Sequence, residues 1–217
     1  MDRRLVDELR LDFERRSEPI RTLIRSFERK YKKCGDCELF DELVYVILAA
    51  GSSAESALRG AQALKGIYRM RESIEQTDIQ KRLKSASCRF WRIRGRYIFS
   101  AINRLKDFSL AGEINRRADN PYELREFIVS EFDGIGYKAS SHFLRNIGIF
   151  GLAILDKHIL NSMVEFGVMR EIPAKMEKPE IYKEVEKKFQ DFARVCGLTV
   201  EELDLLLWSR KAGMLIK

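Results

Sequence analysis

A lysine and an aspartate that lie eighteen positions apart are the residues of this chain best suited to chemistry. Lys138 follows the turn Gly134-Ile135-Gly136 and precedes a helical pattern, and Asp156 stands just ahead of another helical pattern. A glycine turn between two helices offers backbone N–H groups to a phosphate without reading the bases. An amine beside that turn could attack the sugar of a bound strand. The arrangement predicts excision of a base from DNA.

Each of these features also has a plain structural interpretation. The turn could be an ordinary connection between helices, and Lys138 could be solvated or contact a phosphate. However, the positive end of the helix dipole, with partial desolvation, should favour the neutral, nucleophilic amine of Lys138. Asp156 is a good N-cap for the helix that follows. Its second oxygen could stabilise a cationic, sugar-like transition state or deprotonate the lysine.

Apolar residues recur at helical spacing along the whole chain, and no alternating strand pattern is sustained. We therefore predict an all-α fold of roughly ten helices, with two helical subdomains flanking a DNA-binding groove. A single domain over residues 1–217 would contain a helix-hairpin-helix motif at about residues 121–147. The clearest predicted helices cover residues 2–31, 39–50, 54–70, 90–106 and 200–211. Pro19 could divide the first of these helices into two.

Helix starts are marked by residues that can satisfy the first backbone N–H groups of a helix. We predict three capping boxes, formed by Ser52 with Glu55, Thr77 with Gln80, and Thr199 with Glu202. Asn120-Pro121 predicts a fourth start, because asparagine caps well and proline suits the first helical position.

The composition favours a partner that is a polyanion. Lys and Arg number 40 against 33 Asp and Glu, which gives a net charge of +7 and a sequence pI near 9.2. No apolar run approaches the roughly 20 residues that span a bilayer, so we expect no membrane association. The first residues are charged throughout and unlike a signal peptide. We therefore expect an intracellular protein, in the cytoplasm or nucleoid.

The pair Cys34-Gly-Asp-Cys37 could be a redox pair or half of a zinc site. No second pair completes a metal site, and the histidines are limited to His142 and His158. We therefore expect no metal, and we interpret the pair as structural or incidental. It could close a disulfide if the source is a hyperthermophile.

The stretch GIGYKASSHFLRNIG followed by LAILDKHIL resembles the helix-hairpin-helix DNA glycosylases. It is most similar to the second, thermophile-type family of 8-oxoguanine DNA glycosylase/AP lyases. The similarity extends to Cys88-Arg89-Phe90, to SSAESALRGAQ and to the ending LDLLLWSRKAGMLIK. This resemblance implies an enzyme that removes 8-oxoguanine from duplex DNA. It also implies that the enzyme cuts the strand at the resulting abasic (AP) site by β-elimination, through a lysine Schiff base.

The resemblance also implies roles for individual residues. Lys138 would be the Schiff-base nucleophile and Asp156 its catalytic partner. Phe90 and Trp208 would stack on the two faces of the extruded base, although core packing is the alternative for both. Lys217 would help to distinguish 8-oxoguanine from guanine.

Three apolar residues stand just before the end of the sequence, which is unusual because chain ends are normally polar and disordered. We therefore predict that the segment 213–217 docks onto the protein. Its carboxylate could then accept a hydrogen bond from the N7–H group that 8-oxoguanine has and guanine lacks.

Two departures from the family pattern leave base and opposite-base recognition open. Cys88 replaces the usual histidine before Arg-Phe, and Gly51-Ser52-Ser53 replaces a segment that often carries an asparagine or an aromatic residue. The iron–sulfur cluster of some related enzymes needs four closely spaced C-terminal cysteines. Cys196 stands alone there, so no cofactor is expected. A monovalent cation bound by hairpin carbonyls stays open.

The expected partner is double-stranded DNA containing 8-oxoguanine, bound by a monomer. Two other interpretations stay open: a related glycosylase for another damaged or mismatched base, and a helix-hairpin-helix DNA-binding module without chemistry. His142, one helical turn after Lys138, could lie near the site. Basic residues that could contact phosphates, or simply form a solvated face, are Arg92, Arg94, Arg96, Arg145 and Lys157.

Overall fold

The computed structural model describes residues 3–31 and 33–212, and the regular structure in these ranges is entirely helical. The predicted all-α fold is confirmed. The helices are α1 (Arg3–Tyr31), α2 (Asp36–Ala49), α3 (Ala54–Ala63), a 3₁₀ helix (Ile67–Met70), α4 (Gln76–Ser85), α5 (Trp91–Arg104), α6 (Leu110–Arg117), α7 (Pro121–Glu131), α8 (Tyr137–Asn146), α9 (Lys157–Glu165), α10 (Pro179–Cys196) and α11 (Val200–Ala212). None of these described helices is long and apolar enough to cross a membrane.

The interior is divided into two apolar clusters. The first cluster draws on residues between 39 and 152, from α2 to the segment that follows α8. The second cluster joins α1 to α9, α10 and α11. Helix α8 lies between them, because Phe143 and Leu144 pack in the first cluster and Tyr137 packs in the second. The seam between the clusters therefore runs along α8.

Pro19 lies inside α1 and does not divide it. An interior proline removes one hydrogen bond and costs about 3 kcal/mol. Residues on both sides of it, Leu9, Phe13, Ile20 and Phe27, are buried in the second cluster at helical spacing. This burial holds the two halves of α1 on one axis and outweighs the cost of the proline.

The predicted helix over residues 54–70 ends early, at Ala63. Gly66 adopts the left-handed conformation, with φ of 71°. Its N–H donates to Asp41 Oδ1 at 2.9 Å. A tighter 3₁₀ helix then follows over Ile67–Met70. A side chain from α2 thus binds the turn that follows α3, a contact that local helical spacing could not indicate.

Two of the predicted helix starts are confirmed. At α11, the Glu202 N–H donates to Thr199 Oγ1 at 3.1 Å, and the Thr199 N–H donates back to the Glu202 carboxylate at 3.0 Å. At α7, Asn120 Oδ1 accepts the Glu123 N–H at 3.2 Å, and proline fills the first helical position.

The capping box predicted for Ser52 is wrong. Ser53 caps α3 instead, and its Oγ accepts the Ser56 N–H at 3.2 Å. Ser52 is engaged elsewhere, because its Oγ accepts a hydrogen bond from Arg94 at 2.8 Å. Glu55 does not reach back along the chain but pairs with a later residue of α3.

The capping box predicted for Thr77 and Gln80 is also wrong. Helix α4 begins one residue before Thr77, with Glu75 at the cap position and no capping side chain within the described residues. Gln80 instead donates to the Arg92 carbonyl at 2.9 Å, which ties α4 to α5.

Cys34 and Cys37 lie in the described part of the chain and are not joined by a disulfide. The cross-link considered for a hyperthermophilic source is therefore not formed here. Within residues 3–31 and 33–212, no group of three or more His, Cys, Asp or Glu side chains could hold a metal ion.

Candidate active site

A cavity of about 380 Å³ lies at the seam between the two clusters. Its volume is in the range of small-molecule sites, which is about 300–1,000 Å³. Helix α8 contributes Lys138, His142 and Arg145 to its wall. The rest of the wall comes from both sides of the seam: Tyr45, Ala49, Gly51, Ser52, Ser53, Ala54, Ile154, Asp156, Lys157, His158, Asp204, Leu205 and Trp208. The predicted catalytic pair, Lys138 and Asp156, thus faces one cavity.

Lys138 is the second residue of α8, and its side chain is exposed. Gly136 occupies the N-cap position before the helix, and no side chain of the described residues caps it. The first N–H groups of α8 therefore stay available to an external acceptor. The partial desolvation expected of Lys138 is not provided by the protein alone. A bound substrate would have to supply it.

The two hairpin glycines differ in what they contribute. Gly134 has a φ of +77°, and a Cβ there would overlap the ring of Tyr97. Gly136 has an extended conformation, and a Cβ there would meet no atom within 4 Å. The turn therefore requires glycine at position 134, whereas glycine at position 136 leaves the entrance to α8 open.

Helix α5 holds the hairpin through three side chains on one face. The three contacts pair Tyr97 with Gly134, Ser100 with Asp133 at 2.9 Å, and Arg104 with Glu131 at 2.5 Å. Because these α5 residues are three and four positions apart, they project from the same side of the helix. The turn is therefore fixed by a packed helix, a role of α5 that sequence reasoning missed.

Asp156 is the N-cap of α9, and its Oδ1 accepts the Ile159 N–H at 2.8 Å. The predicted cap is confirmed. The side chain is half-buried and also faces the cavity. Its role toward the reacting sugar stays a prediction.

A chain of polar side chains, all buried except the half-buried Lys30, crosses the seam beside the cavity. It joins α1, α2, α8 and α11 through Lys30–Glu42 at 3.2 Å, Asn146–Glu42 at 2.8 Å, Arg145–Asn146 at 2.9 Å and Arg145–Asp204 at 2.5 Å. Burial raises the pKa of Asp204 to about 6, and the guanidinium of Arg145 opposes this rise. The chain ties the helix of Lys138 to the helix of Trp208.

Two arginines proposed as phosphate contacts or as part of a solvated face are buried. Arg145 is 6% exposed and is committed to Asp204. Arg94 is 4% exposed and donates to Ser52 Oγ and to the Ala50 carbonyl. Both predictions are therefore wrong, because each guanidinium holds protein groups together. The other basic residues of that set, Arg92, Arg96 and Lys157, are exposed.

Of the two predicted base-stacking residues, one lines the cavity and the other does not. Trp208 is half-buried and lines the cavity. Phe90 lies outside it, is 52% exposed and has a left-handed backbone with φ of +57°. The guanidinium groups of Arg89 and Arg94 lie over its ring, at 4.6 and 5.6 Å from the centroid. Core packing does not explain Phe90, and a bulky residue in this conformation points to a functional constraint.

The remaining predicted residues have mixed outcomes. His142 lines the cavity, with its ring 5.8 Å from that of Tyr45 in an edge-on arrangement. His158 also lines the cavity and is exposed. Lys217 lies outside the described residues, so its docked position stays a prediction.

Sequence reasoning missed Tyr45 and Asp204 as cavity residues. Asp204 precedes Trp208 by four positions and therefore shares a face of α11 with it. A carboxylate inside the apolar run LDLLLW was the available signal. Tyr45, within LVYVIL, gave none, because a tyrosine there is also typical of core packing.

Known proteins are similar to this chain in both sequence and fold. A family model described as 8-oxoguanine DNA glycosylase matches residues 20–198. An 8-oxoguanine DNA glycosylase/AP lyase of Korarchaeum cryptofilum is 34% identical over 212 residues, covering 97% of this chain and 96% of that protein.

Solved structures agree with this match. The crystal structure of the 8-oxoguanine DNA glycosylase of Thermotoga maritima gives a TM-score of 0.87 at 29% identity, over 99% of both chains. The Methanocaldococcus jannaschii 8-oxoguanine glycosylase/lyase, in complex with a 15mer DNA containing 8-oxoguanine, gives 0.84 at 30% identity. That match covers 97% of this chain and 100% of the other. The chain belongs to the 8-oxoguanine DNA glycosylase family.

Proposed function

We propose that this protein is a base-excision repair enzyme that removes 8-oxoguanine from duplex DNA and cuts the strand at the abasic site. One observation carries the proposal. A single cavity of about 380 Å³ contains an exposed lysine at the uncapped start of α8 and a carboxylate at the start of α9. Membership of the family supports 8-oxoguanine as the base.

In the first step, the neutral amine of Lys138 attacks C1′ of the damaged nucleotide. The N-glycosidic bond breaks, and its electron pair leaves with the base, which takes up a proton. The nitrogen lone pair then expels O4′, which keeps the electron pair of the C1′–O4′ bond and takes up a proton. The sugar ring is thereby opened, and a Schiff base forms between Lys138 and C1′. Asp156 accepts the lysine proton or stabilises the cationic sugar in this step.

In the second step, the Schiff base acts as an electron sink. A proton leaves C2′, the C3′–O3′ bond breaks, and the strand is cut on the 3′ side of the lesion. Water then hydrolyses the Schiff base and restores the free lysine. Atoms and electrons balance at each step without an external oxidant or reductant.

We propose that the two apolar clusters are the two subdomains that flank the DNA. The hairpin with Gly134 and Gly136 would then hold a phosphate of the lesion strand at the open start of α8. Trp208 would stack on one face of the extruded base inside the cavity, and Phe90 would approach the other face from outside. Lys217 would complete the recognition of 8-oxoguanine.

Lys138, Asp156 and Trp208 line one cavity within a single chain, which supports action as a monomer. A substrate that is chromosomal DNA supports a location inside the cell.

The test is covalent trapping. The protein is incubated with a duplex carrying one 8-oxoguanine opposite cytosine, and borohydride is added to reduce any Schiff base. We expect a covalent adduct with this duplex and none with undamaged DNA. Intact binding without an adduct would support the DNA-binding module without chemistry. An adduct with a different lesion alone would support the related glycosylase.

A further inference from the structure

Asp156 is reached by an irregular segment, residues 151–155, that has no helical structure. Residues 152–155 of this segment are nevertheless buried. Buried backbone N–H and C=O groups need partners, since an unpaired group costs as much as a lost hydrogen bond. In a helix the backbone would supply those partners, so here they must come from elsewhere.

The Ile154 carbonyl accepts the Asp156 N–H at 2.8 Å, and the Gly151 N–H donates to Glu201 of α11 at 2.6 Å. Four further bonds involve three side chains on one face of α10. These side chains are Tyr182, Glu186 and Gln190, each four positions from the next. The bonds run from Gln190 Nε2 to the Gly151 carbonyl at 2.9 Å, from the Ala153 N–H to Glu186 Oε1 at 2.9 Å, from the Tyr182 hydroxyl to the Ala153 carbonyl at 2.8 Å, and from the Leu155 N–H to the Tyr182 hydroxyl oxygen at 3.2 Å.

The residue spacing of α10 matches that of the 151–155 segment, which explains how the side chains of α10 can bond it. Four residues of helix advance about 6 Å, and two residues of extended chain advance about 6.6 Å. Alternate residues of the segment therefore meet successive turns of α10, as they would meet a neighbouring strand. We call this row of side chains the α10 ladder. It fixes the position of the 151–155 segment along α10 and the direction in which the segment runs to Asp156.

The α10 ladder is anchored to the hairpin motif by a buried ion pair. Arg125 of α7 binds Glu186 through two bonds, at 2.5 and 2.7 Å, and the two side chains are 0% and 2% exposed. The same guanidinium lies over the ring of Tyr137, 4.8 Å from its centroid. Tyr137 directly precedes Lys138. One arginine therefore contacts both the ladder that carries Asp156 and the start of the helix that carries the lysine.

We propose that Tyr182, Glu186 and Arg125 are positioning residues that set the place of Asp156 relative to Lys138. This inference rests on the proposed function, because it assigns the two partners of that reaction a fixed geometry. None of the three touches the cavity, so they act through the backbone of the 151–155 segment. Of the three residues, Tyr182 bonds the segment closest to Asp156. Its hydroxyl bonds the Ala153 carbonyl and the Leu155 N–H, which lie on either side of Ile154.

Burial raises the pKa of the Tyr182 phenol, so the hydroxyl keeps its proton. The hydrogen bond that it donates to the Ala153 carbonyl therefore persists over the working range of pH.

The test uses Tyr182→Phe, which removes one oxygen and keeps the ring. The matched control is Tyr68→Phe, since Tyr68 is also buried and its hydroxyl also donates to a backbone carbonyl, that of Leu105, at 3.2 Å. Tyr68 belongs to the first cluster and does not line the cavity. Three quantities are measured for each variant: the single-turnover rate of 8-oxoguanine excision, the affinity for the lesion duplex and the thermal midpoint.

We expect both variants to lose a similar, small amount of thermal stability and to bind DNA like the wild type. Misplacement of a catalytic group by about 1 Å can cost about 10²-fold in rate, so Tyr182→Phe should excise about 10- to 100-fold more slowly. Tyr68→Phe should keep the wild-type rate. Equal excision rates for the two variants would overturn the inference. The Tyr182 hydroxyl would then affect excision no more than another buried hydroxyl that bonds the backbone.

A second variant covers the case in which Tyr182→Phe does not fold. Gln190 is half-buried and bonds the far end of the segment, so Gln190→Met should fold and slow excision in the same direction but less. A wild-type rate for a folded Gln190→Met would then overturn the inference. Failure of the proposed function is distinct, because in that case the wild-type protein itself would form no borohydride adduct.

Discussion

The two helix starts that face the cavity are built in opposite ways. Helix α8 begins at a glycine, without a capping side chain, and presents an exposed lysine. Helix α9 begins at Asp156, whose carboxylate already accepts a backbone N–H. Both starts have the positive end of a helix dipole. One leaves it open to an anion from outside, and the other occupies it with an anion from the protein.

The difference shows how one kind of local structure can serve two purposes. An open start can bind a phosphate, and a closed start can hold a carboxylate in place. The segments that precede the two helices differ as well. The turn before α8 is packed against α5, and the segment before α9 is held by the α10 ladder.

The largest effect is expected at the open start. Lys138→Gln removes the proposed nucleophile while keeping a side chain of similar length, so excision and borohydride trapping should both be abolished. Binding to the lesion duplex should persist, because phosphate contacts supply most of the affinity. The control is Lys106→Gln at an exposed lysine outside the cavity, which should trap normally. A Lys138→Gln protein that still forms the adduct would remove the lysine from the mechanism.

At the closed start of α9, two substitutions of Asp156 separate its capping role from its role in the reaction. Asp156→Asn keeps an oxygen that can accept the Ile159 N–H, whereas Asp156→Ala loses it. We expect both variants to excise about 10²- to 10⁴-fold more slowly, the range attributed to general acid–base groups. The alanine variant should also lose about 1 kcal/mol of stability. Single-turnover rates and denaturant unfolding measure the two effects. An asparagine variant as active as the wild type would leave Asp156 with a capping role alone.

Substitution of the hairpin glycines tests the open start from its backbone. Gly134→Ala forces a side chain into a left-handed position against Tyr97, so it should cost about 1–2 kcal/mol of stability and weaken DNA binding. Gly136→Ala meets open space and should leave stability unchanged. Thermal unfolding and the slope of log K against log salt are the measurements. Equal losses of stability at the two positions would contradict the distinct roles assigned to them.

The smallest effect concerns the second carboxyl of the cavity. Asp204 has a folded-state pKa of about 6 against a usual value of 3.8. Because the folded state holds a proton that the unfolded state releases, this group adds stability that is fully present below the usual pKa. That stability is lost as pH rises through about 6.

Asp204→Asn should therefore flatten the change in thermal midpoint between pH 5 and pH 7 relative to the wild type. Parallel pH curves for the two proteins would show that Asp204 does not titrate in this window.

Local patterns were enough to predict the all-α fold and the helix starts at Asn120, Asp156 and Thr199, and they placed Lys138 and Asp156 where both face the cavity. Lys138 and Asp156 stand at helix starts, and helix starts are written in adjacent residues. Arg94 and Arg145 were misread as exposed or DNA-facing. Their partners lie 42 and 59 positions away along the chain, so no local pattern reveals them. Phe90 was placed by resemblance, and its exposed position depends on a strained turn rather than on helical spacing.

The way the chain contributes to its two clusters has a consequence for biosynthesis. The first cluster is built from one continuous stretch, residues 39–152, and can pack as soon as that stretch leaves the ribosome. The second cluster needs α1 from the start of the sequence and α9, α10 and α11 from its later part. The apolar face of α1 must therefore wait, unpaired, for helices made more than a hundred residues later. Since both clusters contribute walls to the cavity, the hairpin of a nascent chain can form early, whereas the cavity that contains Lys138 and Asp156 is completed last.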